Sequence, residues 1–338
     1  MRQMLLGLKE TIDEIAAGKT LLLAGDEGLL AQLPKGSWIG GTIPYFISTD
    51  QGGLLSSDKI FVTDISDIAE SVILKKYTED TLETVYQDAG DGGFSFIIIP
   101  ASSPAHISFA LNAPNYSDFG SQPLVGWISG VKLDDLGKIK PKVFSGRTGN
   151  SYEDEALVMH VTLAPGKAVD AGIINIFEQG DGDTLTFDQD AFSSEEVMVN
   201  GVKKNFAEYI TENKLDTKLP LVANYYGALI NTSFQAVSPE DGVSFYAPVF
   251  SDVRYKHAKR IDDYAAAFSK QLMENNVAGK KIAFSCNCIL NYLYSELEGK
   301  KTDPFVGPIT FGEIAYQLLN QTLVYIDIHD DSDVIVTL

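Results

Sequence analysis

Twice in this chain a glycine follows a Leu-Pro pair by seven residues: Leu33-Pro34 with Gly41, and Leu219-Pro220 with Gly227. Each glycine leads into a β-rich segment, a turn glycine (Gly53 or Gly242) and another strand pattern, at 243–249 in the second copy. A short apolar run follows in each copy, residues 94–99 or 281–285, and then a helical pattern, residues 102–111 or 289–297. Each copy closes on a similar hexapeptide, PLVGWI at 123–128 and PFVGPI at 304–309. Gly41 to Gly126 spans 85 residues and Gly227 to Gly307 spans 80, so the loops absorb five residues while the order is kept. A preserved order of this kind encodes one supersecondary plan used twice.

Two copies predict an α/β (α+β) protein with two pseudo-repeated lobes of mixed β-sheet and flanking helices, layered α-β-β-α. The lobes are expected at 1–165 and 166–338, with the unrepeated connecting region at 131–218. A chain of 338 residues with 45% hydrophobic content supplies enough apolar surface for two ordinary cores. The run at 94–99 does not alternate, which is the pattern of a strand covered on both faces. Residues 1–19, with Leu5, Leu8, Ile12 and Ile15 on one face, read as one amphipathic helix. GDGD at 180–183 reads as a hairpin turn. The segment 138–149 is the most basic patch and reads as a surface loop between the lobes.

Charge and hydropathy exclude some partners. Acids outnumber bases 46 to 26, and no Lys/Arg cluster is long enough to track a phosphate backbone, so no nucleic acid is expected. The first 19 residues lack the unbroken apolar core of a signal peptide, and no stretch has the length of a membrane span. A cytoplasmic protein with no membrane partner is the expectation.

The reactive residues are few. Cys286 and Cys288, two apart, diverge at a strand end, which is poor geometry for a mutual disulfide. Either thiol is a nucleophile if a neighbour lowers its pKa, with His257 a candidate in space, or a buried reduced thiol if none does. C-x-C alone is no zinc motif. His106, His160, His257 and His329 are dispersed, and no GxSxG, Walker A or HExxH occurs. In GPITFGEIAYQLLNQ, from residue 307, the acid Glu313 follows the glycines Gly307 and Gly312. It either receives a bound amine or ties the turn together. Tyr225, Tyr226, Asn231 and Ser233 suit either a pocket wall or a solvated face.

The C-terminal half, about 220–328, resembles the FIST family of sensory modules, built from an N-terminal and a C-terminal FIST region. The residues carrying this are Thr310-Phe311-Gly312-Glu313-Ile314, Asn320-Gln321-Thr322, Ser285-Cys286, Gly227 and 231–233. In the N-terminal half it rests on GSWIGGTIPYF with Gly40, Gly41 and Thr42, where the Cys-Ser-Thr pattern usual before the glycine is absent. The resemblance implies a non-catalytic sensor that binds a small molecule, such as an amino acid or related metabolite, and acts in signal transduction. With the chain ending at Leu338, a separate signalling protein is expected to carry the output. The ligand cleft is expected between the lobes, around Gly41, Gly126 and Gly227. Its contacts would come from Gly40, Thr42, Tyr225, Tyr226, Asn231, Cys286, Gly307, Phe311, Gly312 and Glu313. No cofactor or metal is expected in that reading. Some FIST proteins sense gases through haem, and His160 in VMHVTL is then the candidate ligand. Two further readings stay open, a cysteine-dependent enzyme and a ligand-free interaction scaffold.

Overall fold

The computed structural model describes residues 2–90, 92–225, 227–274 and 281–330. The chain is mixed α/β, 17% helix and 44% strand, with several mixed sheets and few helices. Gly7 divides the expected first helix. Arg2–Leu6 is a strand paired antiparallel with Ile60–Asp64, and the helix runs Leu8–Ala16. The Gly7 N–H donates to Glu10 Oε2 at 2.8 Å, which starts the helix there and leaves Leu5 in the sheet. Residues 180–183 also differ from expectation. They form a loop outside any paired hairpin, with Asp183 accepting from Asn200 and from the Tyr209 hydroxyl.

Three six-stranded sheets meet in one core. In the first, Leu21–Gly25 and Trp38–Thr42 are a central parallel pair. Leu21 and Leu23 pack outward against Ile15 of the first helix, while Leu22 and Ala24 face inward. In the second, Ile97 and Ile99 pack outward against the Pro104–Asn112 helix, and Phe96 and Ile98 face inward. This two-residue alternation between covered faces gives the helix-sheet-sheet-helix layering. The third sheet joins the same interior, where Phe284 stacks on Trp127 at 5.7 Å and meets Phe96 edge-on at 5.2 Å. A fourth six-stranded sheet and a three-stranded sheet hold a separate core around Phe187, Phe206 and Tyr255.

The halves are interlocked. Tyr45–Ser48 pairs with Gly307–Thr310 in the third sheet, and Glu313–Ala315 pairs with Leu124–Ser129 in the second. The region 131–218 supplies strands to every sheet, including Val143–Ser145, Ala156–Leu163 and Lys167–Ile174. The residue 165/166 boundary falls in the turn between the last two of these strands.

The closing hexapeptides do correspond in space. Gly93–Pro100, the Pro104–Asn112 helix and Leu124–Ser129 make one parallel crossover unit. Ile282–Cys288, the Ile289–Tyr294 helix and Gly307–Thr310 make the other. A Cβ on Gly126 would lie 1.8 Å from the Ile97 carbonyl oxygen, and one on Gly307 would lie 1.9 Å from that of Ser285. Each glycine lets its strand lie against bare neighbouring backbone. The correspondence of Gly41 with Gly227 does not extend to space. Gly41 is buried against Ile98 and Trp127, whereas Gly227 is exposed in a turn with nothing within 4 Å of its Cβ position. Among the described residues no helix is long and apolar enough to cross a membrane.

Candidate functional site

In each crossover unit the chain leaves the carboxyl end of a buried strand and turns at once into a helix, the place where open α/β sheets commonly hold ligands. The two turns, at Ala101–Ser103 and at Cys288–Leu290, flank one cleft of about 500 Å³. That volume falls in the range of small-molecule pockets. Leu133 and residues 136–141 form another wall, and Gln235, Tyr246, Leu293, Phe311 and Asn320 add to the lining from the second half. The wall segment is anchored where the Leu133 N–H donates to the Tyr45 hydroxyl at 3.1 Å.

The first turn is built tightly. Ser103 caps the helix, its hydroxyl oxygen accepting from the His106 N–H at 3.0 Å, with Pro104 in the first turn. Ser102 has φ +61°, a left-handed conformation uncommon outside glycine, and its N–H donates to His106 Nδ1 at 3.1 Å. Because Nδ1 accepts, the proton of the neutral ring belongs on Nε2. Burial pushes this imidazole down to about 4, so it is neutral at pH 7. His106 is only 8% exposed, and its Nε2 has no partner.

Asn320 contributes the opposite polarity. It is 1% exposed, its Nδ2 donates to the Leu319 carbonyl at 3.0 Å, and its Oδ1 has no partner. Two residues of the lining therefore each hold an unpartnered polar atom with almost no accessible surface, a donor on His106 and an acceptor on Asn320. Leu136, Ile139 and Leu293 are exposed apolar side chains of the lining. The charged lining residues have both signs: Lys140 lies 3.4 Å from Glu153, with Lys138 and Asp154 exposed nearby.

Of the residues expected at the site, Phe311 lines the cleft and most others are built into the fold behind it. Gly40, Gly41 and Thr42 are buried in the Trp38–Thr42 strand, with Thr42 Oγ1 accepting from the Lys142 N–H at 2.9 Å. Tyr225 is half-buried at a strand end, and Tyr226 lies outside the described residues. Asn231 is saturated: its Nδ2 donates to Asn175 Oδ1 and to the Asn320 carbonyl, each at 3.0 Å, and its Oδ1 accepts from Asn175. Ser233 donates to Gln321 Oε1 at 2.7 Å. Gly312 is buried against Leu318 and Ile128, and Gly307 against Ser285. Cys286 donates to the Gly126 carbonyl at 3.3 Å.

Glu313 has no solvent exposure. It accepts from Thr310 Oγ1 at 3.3 Å, from Thr322 N at 3.2 Å and from Thr322 Oγ1 at 2.9 Å. Burial raises it to about 8 against the opposing pull of these donors. The TFGEI and NQT segments thus form one polar knot between sheets. Burial, with Glu313 close by, also pushes both thiols well above the ordinary range. Cys288, not Cys286, is the thiol that reaches the cleft. His160 is enclosed: Tyr77 bonds its Nε2 at 2.8 Å and Ser95 its Nδ1 at 2.7 Å, and burial lowers it to about 4. His257 lies outside the cleft lining, its Nε2 3.0 Å from the Asp216 carbonyl.

Sequence reasoning missed His106 and the side chain of Asn320. The available signal was the repeat itself, since each apolar strand feeds a helix through a short turn, and Ser103-Pro104 marks that helix start.

The fold and the site together define a mixed α/β protein with an amphipathic cleft between two parallel crossover units. The chain belongs to DUF6976, a family of unknown function, which it matches over residues 6–329. A comparison with curated proteins gives no match.

Proposed function

We propose that the chain is a non-catalytic, cytoplasmic small-molecule sensor of FIST type, acting in signal transduction through a separate partner protein. The observation that carries this reading is the cleft of about 500 Å³ shared by both halves, with the neutral polar side chains His106 and Asn320 among its lining. The cytoplasmic assignment is supported by two free, buried cysteines. A thermal-shift screen against a metabolite library tests the reading. Ligands that raise the melting temperature of the wild type but not of a His106→Ala, Asn320→Ala double variant support it. A screen with no such ligand speaks against it.

One observation favours a second reading, a cysteine-dependent enzyme: Cys288 and His106 line the same cleft. Rapid alkylation of native Cys288 at neutral pH, abolished by His106→Ala, would establish it over the sensor. A thiol that reacts only after unfolding would remove it.

A further inference from the structure

Lys167–Ile174 is the edge strand of the third sheet, and it pairs antiparallel with Leu323–Asp330 over its whole length. The register sets Asp170 directly opposite Asp327 and Ala168 opposite His329. Opposed residues share a face of the sheet, and so do residues two apart on one strand. Asp170, Asp327 and His329 therefore project from the same side. One oxygen from each carboxylate and one ring nitrogen of the histidine all lie within 4.8 Å of one another.

Like charges directly opposite in a ladder repel, and a buried carboxylate needs a positive partner. Asp327 is only 4% exposed. Its Oδ1 accepts from the Lys281 N–H at 2.8 Å, while its Oδ2 has no hydrogen-bond or ion-pair partner among the described residues. Lys167, on the same edge strand, is paired with Asp330 instead. His329 Nδ1 stands 3.8 Å from Asp170 Oδ2, beyond hydrogen-bond reach. The three groups thus face one another without bonding, at a spacing that an ion can join: with bonds of roughly 2.0–2.2 Å, ligand atoms on one metal lie about 3–4 Å apart. The Asp170 side chain, 70% exposed, has room to swing through the remaining distance.

We propose that Asp170, Asp327 and His329 form a binding site for a divalent transition metal of the zinc class, with solvent completing the coordination. The imidazole sets the class. Ca²⁺ and Mg²⁺ take oxygen ligands, whereas a nitrogen donor beside carboxylates suits zinc and its neighbours. The Lys281 N–H holds the buried carboxylate in orientation, as outer partners of metal ligands do. A bound ion clamps the edge strand to the strand beside it. None of the three residues belongs to the cleft lining, so the site stands or falls independently of the small-molecule reading.

Calorimetric titration of ZnCl₂, MgCl₂ and CaCl₂ into the intact protein, freed of metal with a chelator, tests the assignment. One Zn²⁺ per chain is expected, bound at least about tenfold more tightly than Mg²⁺ or Ca²⁺. Asp170→Asn, which keeps the shape of an exposed side chain, and His329→Ala should each weaken Zn²⁺ binding at least about tenfold. Zn²⁺ should also raise the melting temperature of the wild type more than that of either variant. A wild type that binds no Zn²⁺, or that binds Mg²⁺ or Ca²⁺ as tightly, overturns the proposal, and this result is read on unmodified protein. Zn²⁺ affinity that Asp170→Asn and His329→Ala leave unchanged overturns the assignment to these residues.

Discussion

Replacing Glu313 by glutamine isolates the energetic consequence of an acid closed inside the core. The carboxyl moves from 4.5 to about 8 because burial disfavours its charge, and the donors from Thr310 and Thr322 offset only part of this. A raised value in the folded protein means that the native state holds a proton which the unfolded chain releases across that interval. The stability contributed by the group is complete below the unfolded value and is lost as pH rises through about 8. At about 1.4 kcal/mol per tenfold change in proton affinity, the whole loss is on the order of 5 kcal/mol. Glutamine keeps an acceptor for Thr322 and does not titrate. In urea unfolding series at pH 5 to 8, Glu313→Gln should therefore gain on the wild type by roughly 3–4 kcal/mol across the range. Taking the difference between the two proteins cancels the other titrating groups. A difference that stays flat with pH, or that grows in favour of the wild type, refutes the buried-proton argument.

Gly307→Ala places a carbon 1.9 Å from the Ser285 carbonyl and should cost more than about 3 kcal/mol in denaturant unfolding. Gly182→Ala, with open space around it, should change stability by less than about 0.5 kcal/mol. Phe284→Ala removes the ring shared by Trp127 and Phe96 and should cost about 3–5 kcal/mol, accompanied by a change in tryptophan fluorescence. A thiol reagent at neutral pH should leave Cys286 and Cys288 unmodified in the native protein and label both in guanidinium, as mass spectrometry would count.

The fold was more legible than the site. Residues 94–99 announced a fully covered strand because every side chain there but Ser95 is apolar, and PLVGWI and PFVGPI marked two strands that approach a neighbour through a glycine. These are local requirements, and local sequence records them. The first helix was overextended because Leu5 fits a helical face as well as a strand, and only pairing with Ile60–Asp64 decides between them. The expected site was drawn to conspicuous residues, and Glu313, Asn231 and Ser233 are conspicuous because they tie sheets together. What sets His106 and Asn320 apart in the cleft lining is the absence of a partner for His106 Nε2 and Asn320 Oδ1. A missing partner is a property of three-dimensional packing among segments more than two hundred residues apart, and no pattern along the chain encodes it.

The central claim is that the cleft lined by His106 and Asn320 receives a small molecule. Native mass spectrometry of the purified wild type, beside the His106→Ala, Asn320→Ala double variant, tests it most directly, with denaturation afterwards to identify what is released. A discrete mass excess on the wild type that is lost from the folded variant is the predicted result. Wild type without any excess after incubation with a cell metabolite extract, or an excess retained equally by the variant, would contradict the account.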